Sequence, residues 1–138
     1  MINRKSFGIF MGERDLRKRT RDFANCCVRL CEALPDTILG RHVNRQLIRS
    51  STSVHANYRA VCLAQSKAHF VSKISIVIEE VDESCYWLEF IIEHKLLSEK
   101  QVGNLLKEGQ ELTGIFIKSR MTAKNRQKEF VNCNESCY

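Results

Sequence analysis

The chain has 138 residues, 43% of them hydrophobic, and a formal charge of +6 from 22 Lys+Arg and 16 Asp+Glu. That is one ordinary domain, able to bury its apolar surface without metal or disulfide staples, which excludes an intrinsically disordered chain. One proline and six glycines leave room for long uninterrupted helices and argue against a fold of many short strands.

Residues 1–12 read as a loose leader, and MINRKSFGIF is too short and too polar for a secretory signal. The first helix is expected from about Asp15 to Leu34, ending at Pro35, with Leu16, Thr20, Phe23, Cys27, Leu30 and Leu34 as its apolar seam. The second is expected from about Ile38 to Leu63, with Val43, Leu47, Val54, Tyr58 and Val61 on one face. Gly40 weakens its first turn. Gln46, Ser50, Ser53 and Asn57 border that face, and the small side chains among them let a neighbouring helix approach closely. Asn57 is read as a hydrogen-bonded register device beside the core.

Ser66 is the N-cap expected for the third helix, although His69 fills the capping box poorly. This helix runs to about His94 on the seam Phe70, Ile74, Val77, Val81, Ser84, Leu88 and Ile91. It also carries a second apolar strip of Ile76, Trp87 and Phe90, within which lie Glu80 and Glu83. A surface helix of a lone protomer needs one apolar face, so the third helix is either central or at a subunit interface, and Ile76, Glu80, Glu83, Trp87 and Phe90 are the expected oligomer interface. Ser98 with Gln101 forms a clean capping box for the fourth helix, whose seam is Val102, Leu105, Gly109, Leu112 and Phe116. That helix is expected to end near Ala123, followed by a polar, frayed tail over 124–138. Four helices joined by short connections predict an all-α, antiparallel up-down-up-down four-helix bundle, a single domain over 13–123.

Charge is unevenly spread. Arg4, Lys5, Arg14, Arg17, Lys18, Arg19 and Arg21 crowd the first 21 residues against Glu13 and Asp15, whereas residues 79–93 hold six acids and no Lys or Arg. On the second helix Arg41, Arg45, Arg49 and Arg59 fall within roughly 80° of arc, opposite Val43, Leu47 and Val54. Rows of guanidinium groups suit phosphate oxygens. Arg14, Arg17, Lys18, Arg21, Arg41, Arg45, Arg49 and Arg59 are therefore the candidate nucleic-acid contacts. The plainer reading, a solvated face or salt bridges to the acids of the third helix, stands beside it. No aromatic residues interleave with the stripe, so backbone contact fits better than base stacking.

Paired carboxylates such as Glu80 and Glu83 can perform acid/base work. Beside an apolar strip they are better read as acceptors for Arg, Tyr or Trp across a helix interface. Cys27 and Cys31, and Cys133 and Cys137, are each one turn apart, a spacing that suits a metal. The first pair belongs to the core, the second to the tail, and neither has a clustered histidine, so no metal and no cofactor is expected. His55 and His69 are read as solvent-facing or capping residues. There is no glycine-rich phosphate loop, nucleophile elbow, zinc-finger spacing or DNA-reading motif. Seven cysteines, an odd number, and no apolar run near the ~20 residues of a membrane span suggest a reduced, cytoplasmic protein without a membrane partner.

The stretch from Gln46 to Ala60, QLIRSSTSVHANYRA, resembles the four-helix bundle proteins of the ribosomal-RNA intervening-sequence protein family. So do Ser66-Lys67-Ala68-His69-Phe70, Glu79-Glu80-Val81-Asp82-Glu83 and Tyr86-Trp87-Leu88-Glu89. The resemblance runs from about Arg19 to Ala123. It departs from the family pattern at His55, usually Gly, and at His69, usually Glu. It implies antiparallel bundles that assemble into five-membered rings, with no established activity. A related bundle, the accessory variability protein of diversity-generating retroelements, is a basic pentamer that works with nucleic acid and a reverse transcriptase. Carried onto this chain, the resemblance implies oligomer-building or structural roles for Arg49, Asn57, Arg59, Glu80, Glu83 and Trp87.

The chain is thus expected to be a non-enzymatic homopentamer that binds RNA or DNA backbone through its basic helix faces. The alternative is a scaffold for a protein partner, accessory to a mobile-element or RNA-processing enzyme.

Overall fold

A computed structural model describes the backbone of residues 12–135 and the side chains of 14–126. The expected leader lies outside the described residues except for Gly12, and so do the side chains of Cys133 and Cys137. Four helices follow in order: α1 (Glu13–Glu32), α2 (Ile38–Cys62), α3 (Lys67–Glu93) and α4 (Glu99–Glu135). There is no strand among the described residues. α4 runs well past its expected end at Ala123. No proline or glycine follows Gly114 to stop it.

The helices start where their caps allow. The Thr37 hydroxyl accepts from Gly40 N–H at 3.0 Å and opens α2. At α3 the Ser66 hydroxyl accepts from His69 N–H at 3.1 Å, so half the capping box survives without a carboxylate at residue 69. Both halves of the box form at α4: Ser98 N–H donates to Gln101 Oε1 at 3.1 Å, and Gln101 N–H to Ser98 Oγ at 3.3 Å. α3 closes with a Schellman pattern, Leu96 N–H to the Ile91 carbonyl and Lys95 N–H to the Ile92 carbonyl. The left-handed position of that turn, usually glycine, is filled by Lys95 at φ 54°.

Each helix packs on its neighbours in the chain, and α4 returns to α1. The partners run in opposite directions. Along α1, Thr20 meets His55 and Cys31 meets Asn44. Along α2, His42 meets Trp87, and Ser50 meets Ser84 at 3.0 Å. Along α3, Ser75 meets Arg120, and Cys85 lies against Gly109.

The apolar seams meet inside. Leu16, Phe23 and Cys27 of α1 are buried, as are Val43, Leu47, Val54 and Tyr58 of α2. So are Ile74, Val77, Val81, Leu88 and Ile91 of α3, and Val102, Leu112 and Phe116 of α4. Tyr58 and Phe116 meet across the centre with ring centroids 5.5 Å apart. Burial of this kind is worth roughly 1.5–3 kcal/mol for each large side chain, and it holds the four helices in one register.

Two backbone positions override helix propensity. A Cβ at Gly40 would lie 2.0 Å from the Pro35 carbonyl oxygen, a backbone atom that cannot swing aside. Gly40→Ala, favourable in a free helix by about 1 kcal/mol, is therefore expected to destabilise the fold by about 1–3 kcal/mol. Lys95→Gly should do the opposite and add up to about 1 kcal/mol by removing left-handed strain. Urea midpoints measure both, and an unchanged midpoint for Gly40→Ala would show that the Pro35 turn yields freely.

Candidate nucleic-acid interface

The basic face is built by two helices. On α1 the buried seam Leu16-Thr20-Phe23 leaves Arg14, Arg17, Lys18 and Arg21 exposed on the far side. Because α2 runs against α1, its C-terminal half lies beside these residues and brings Arg59 to them. Between the helices, His55 Nδ1 lies 3.0 Å from Thr20 Oγ1. The His55 imidazole is held below its ordinary pKa, first by burial and then by the positive charges of Arg59, Arg21 and Arg17. The charges of three guanidinium groups from two helices thus reach one half-buried ring. Among the described residues none of the three forms an ion pair. Lys18 does, with Asp22 at 2.6 Å, and that hydrogen bond draws the Asp22 carboxyl below its usual range.

The arginine stripe expected along α2 does not act as one unit. Arg41 Nη1 binds Asp36 Oδ1 at 2.6 Å in an exposed pair. Arg49 donates to Glu80 Oε2 at 3.4 Å and bonds Glu83 as well, tying α2 to α3. Arg45 is exposed, with no ion pair among the described residues. Only Arg59 joins the α1 cations. His55, expected at the surface or at a cap, is instead half-buried against Thr20 within reach of their charge.

Glu80 and Glu83 accept from an arginine across a helix interface, and that interface lies within one protomer. Burial pushes the Glu80 carboxyl up against the opposing pull of Arg49. Ile76, Trp87 and Phe90 are half-buried. Trp87 and Phe90 pack on the core, so these two do not project freely. The Trp87 ring lies 5.5 Å from His42, 4.9 Å from Tyr86 and 5.6 Å from Phe90. Its Nε1 is buried without an acceptor among the described residues, so ring contacts and packing on the core hold the indole. The more exposed apolar side chains nearby are Ile38 at 83% and Tyr86 at 53%. Neither was singled out by periodicity, which finds seams and not the tips that outgrow them.

Asn57 bonds its own helix, Nδ2 to the Ser53 carbonyl at 2.9 Å, and is not the register device expected. That role falls to Asn44, whose Nδ2 donates to the Cys31 carbonyl at 2.9 Å near the end of α1. Cys27, Cys31 and Cys85 are buried, and burial pushes the last two thiols up to about 11 and about 12. No group of His, Cys, Asp or Glu among the described residues could hold a metal ion. No described helix is long and apolar enough to cross a membrane.

A groove of about 780 Å³ opens between α1 and α4, the least closely packed neighbours. Phe23, Leu30 and Leu105 line it, with Lys18, Arg19 and Arg29 among its charged residues. Arg19 bridges its two walls, bonding Glu108, with Nε at 3.1 Å, and Glu111 at 3.2 Å.

The profile of the 23S rRNA-intervening sequence protein family matches residues 13–118, and the chain belongs to that family. It is similar to a protein of unknown function from the S23 ribosomal protein family of Bacteroides thetaiotaomicron, solved by crystallography at 1.70 Å resolution. Identity is 27%, the match covers 80% of this chain and 99% of that one, and the TM-score is 0.72. No curated protein matches the chain.

The His55 cluster makes stability depend on pH in a defined direction. The unfolded imidazole titrates near its ordinary value, and the folded one lower. Above the unfolded value the ring is neutral in both states and folding is unopposed. As pH falls through that value and on through the folded one, the unfolded chain takes up the proton first and stability drains away. Between about pH 7 and 5 the urea midpoint of the wild type should fall more than that of His55→Gln, which does not titrate. Parallel curves would show that neither burial nor the arginines lower the His55 imidazole in the folded chain.

Proposed function

We propose that the protein is a non-enzymatic, self-associating helical bundle that binds the sugar-phosphate backbone of RNA or DNA through Arg14, Arg17, Arg21 and Arg59. The observation that carries this reading is the exposed basic face of α1, Arg14, Arg17 and Arg21, set beside the C-terminal half of α2 with exposed Arg59, where Arg17, Arg21 and Arg59 form no ion pair among the described residues. Like charges held together oppose folding, and a bound polyanion relieves that opposition. Guanidinium groups bind phosphate with paired donors and do not titrate away. Contact with the backbone alone makes binding tolerant of sequence.

Self-association multiplies the effect. In the ring of five suggested by the family resemblance, the basic face repeats once per copy, and tethered weak contacts add as avidity. The proposed setting is the reducing cytoplasm, which suits the free thiols of Cys26, Cys27, Cys31, Cys62 and Cys85. A second reading, a scaffold for a protein partner, draws on exposed Ile38 and Tyr86.

The test is fluorescence anisotropy on mixed-sequence RNA and DNA across a salt series. If Arg17, Arg21 and Arg59 each neutralise one phosphate, replacing all three by Gln should lower the salt slope by roughly 2–3. Arg41→Gln, whose guanidinium is already paired, should change it little. Affinity absent at low salt, or a slope untouched by the triple variant, would overturn the reading.

A further inference from the structure

The +6 charge of the chain is not shared evenly along the bundle. Antiparallel packing sets Thr20 beside His55 and Ser75 beside Arg120, so the starts of α1 and α3 and the ends of α2 and α4 gather at one end. The half at that end comprises residues 14–22, 53–62, 67–78 and 115–126, and it holds twelve Lys and Arg against two acids, Asp15 and Asp22. The other described side chains include seven Lys and Arg against eleven acids. Helix dipoles do not set this sign, because two starts and two ends meet there and largely offset each other. The side chains set it.

α2 is about 37 Å long, so the centres of the two halves lie about 18 Å apart. That exceeds the Debye length of about 10 Å in 0.1 M salt. A polyanion at the basic end therefore meets the local excess of cations and little of the acidic half. We propose that this end, fed by all four helices, is a seat for double-stranded nucleic acid and not for a single strand. The inference rests on the phosphate binding proposed above and names the form of the ligand and the rest of its surface.

Two features favour the duplex. It carries one charge per about 1.7 Å of its axis, twice the density of either strand alone, and the denser polyanion suits cations that arrive from four helices at once. Single strands draw affinity from bases stacked on exposed aromatic rings. In this half Tyr58, Phe70 and Phe116 are buried, and no Phe, Tyr or Trp is exposed among the described residues. The surface also extends beyond the α1–α2 face. Lys67 at the start of α3 and Lys124 on α4 form no ion pair among the described residues. Lys18 and Arg19, by contrast, are answered by Asp22 and by Glu108 with Glu111.

The experiment is fluorescence anisotropy across a salt series, with mixed-sequence RNA and DNA duplexes and with unpaired strands of each. Both duplexes should bind at least about tenfold more tightly than the unpaired strands, with a steeper salt slope. Lys67→Gln with Lys124→Gln should lower the duplex slope by roughly 1–2. Lys67→Arg with Lys124→Arg should keep it. Lys100→Gln with Lys107→Gln, in the acidic half, should leave it unchanged. Strands that bind as tightly as duplexes overturn this inference and leave phosphate binding standing. So does a slope that ignores Lys67 and Lys124 while still falling on loss of Arg17, Arg21 and Arg59. Affinity for neither form at low salt overturns both.

Discussion

The linkers between the helices span only residues 33–37, 63–66 and 94–98. Five extended residues reach about 18 Å. α2 has 25 residues and so runs for about 37 Å. No such linker can carry the chain back along a helix before the next one begins, so each helix must lie against its predecessor in the opposite sense. That one restriction decides which halves meet. It places the C-terminal half of α2 beside the N-terminal half of α1, and so brings Arg59 to Arg17 and Arg21. It also places Arg49 level with Glu80 and Glu83. Two arginines of similar outlook in the sequence thus acquire opposite fates, one neutralised and one left among like charges.

The seams were legible because a buried side chain recurs with the turn of its own helix. Leu16, Thr20, Phe23 and Cys27 could be picked out without knowing what they touch. The partners of polar groups were not legible in the same way, since they depend on the register between helices. Asn57 looked like the device that pins two helices, and Asn44 is. His55 looked like a surface ring, and Thr20 receives it. Gly40 looked like a weakness in a helix, yet the Pro35 carbonyl admits no larger residue there. Lys95 gave no sign of a left-handed turn, because the chain places a lysine where the turn favours glycine. For the candidate interface, residue types were visible and grouping was not: along α2, Arg41 and Arg49 enter ion pairs, Arg45 forms none among the described residues, and Arg59 lies toward the α1 cations.

The opposed roles of the polar groups follow from their surroundings. Arg19 with Glu108 and Glu111, and Arg49 with Glu80 and Glu83, are half-exposed bridges between helices. Pairs of that kind add modest stability, and their greater effect is to favour one register over its neighbours. The His55 cluster adds no such bridge. It sets Arg17, Arg21 and Arg59, none in an ion pair among the described residues, around a place where burial already disfavours a proton on His55.

The buried sulfurs have one more consequence. Cys27, Cys31 and Cys85 are kept as thiols by the packing around them, and only a thiolate attacks an alkylating reagent. Modification of these sites therefore awaits the parting of the helices, whereas half-buried Cys26 lies in the α1–α4 groove. The two kinds of site make a stopwatch: fast alkylation at Cys26 marks the state of the groove, and slow alkylation at Cys27, Cys31 and Cys85 counts how often the bundle breathes open.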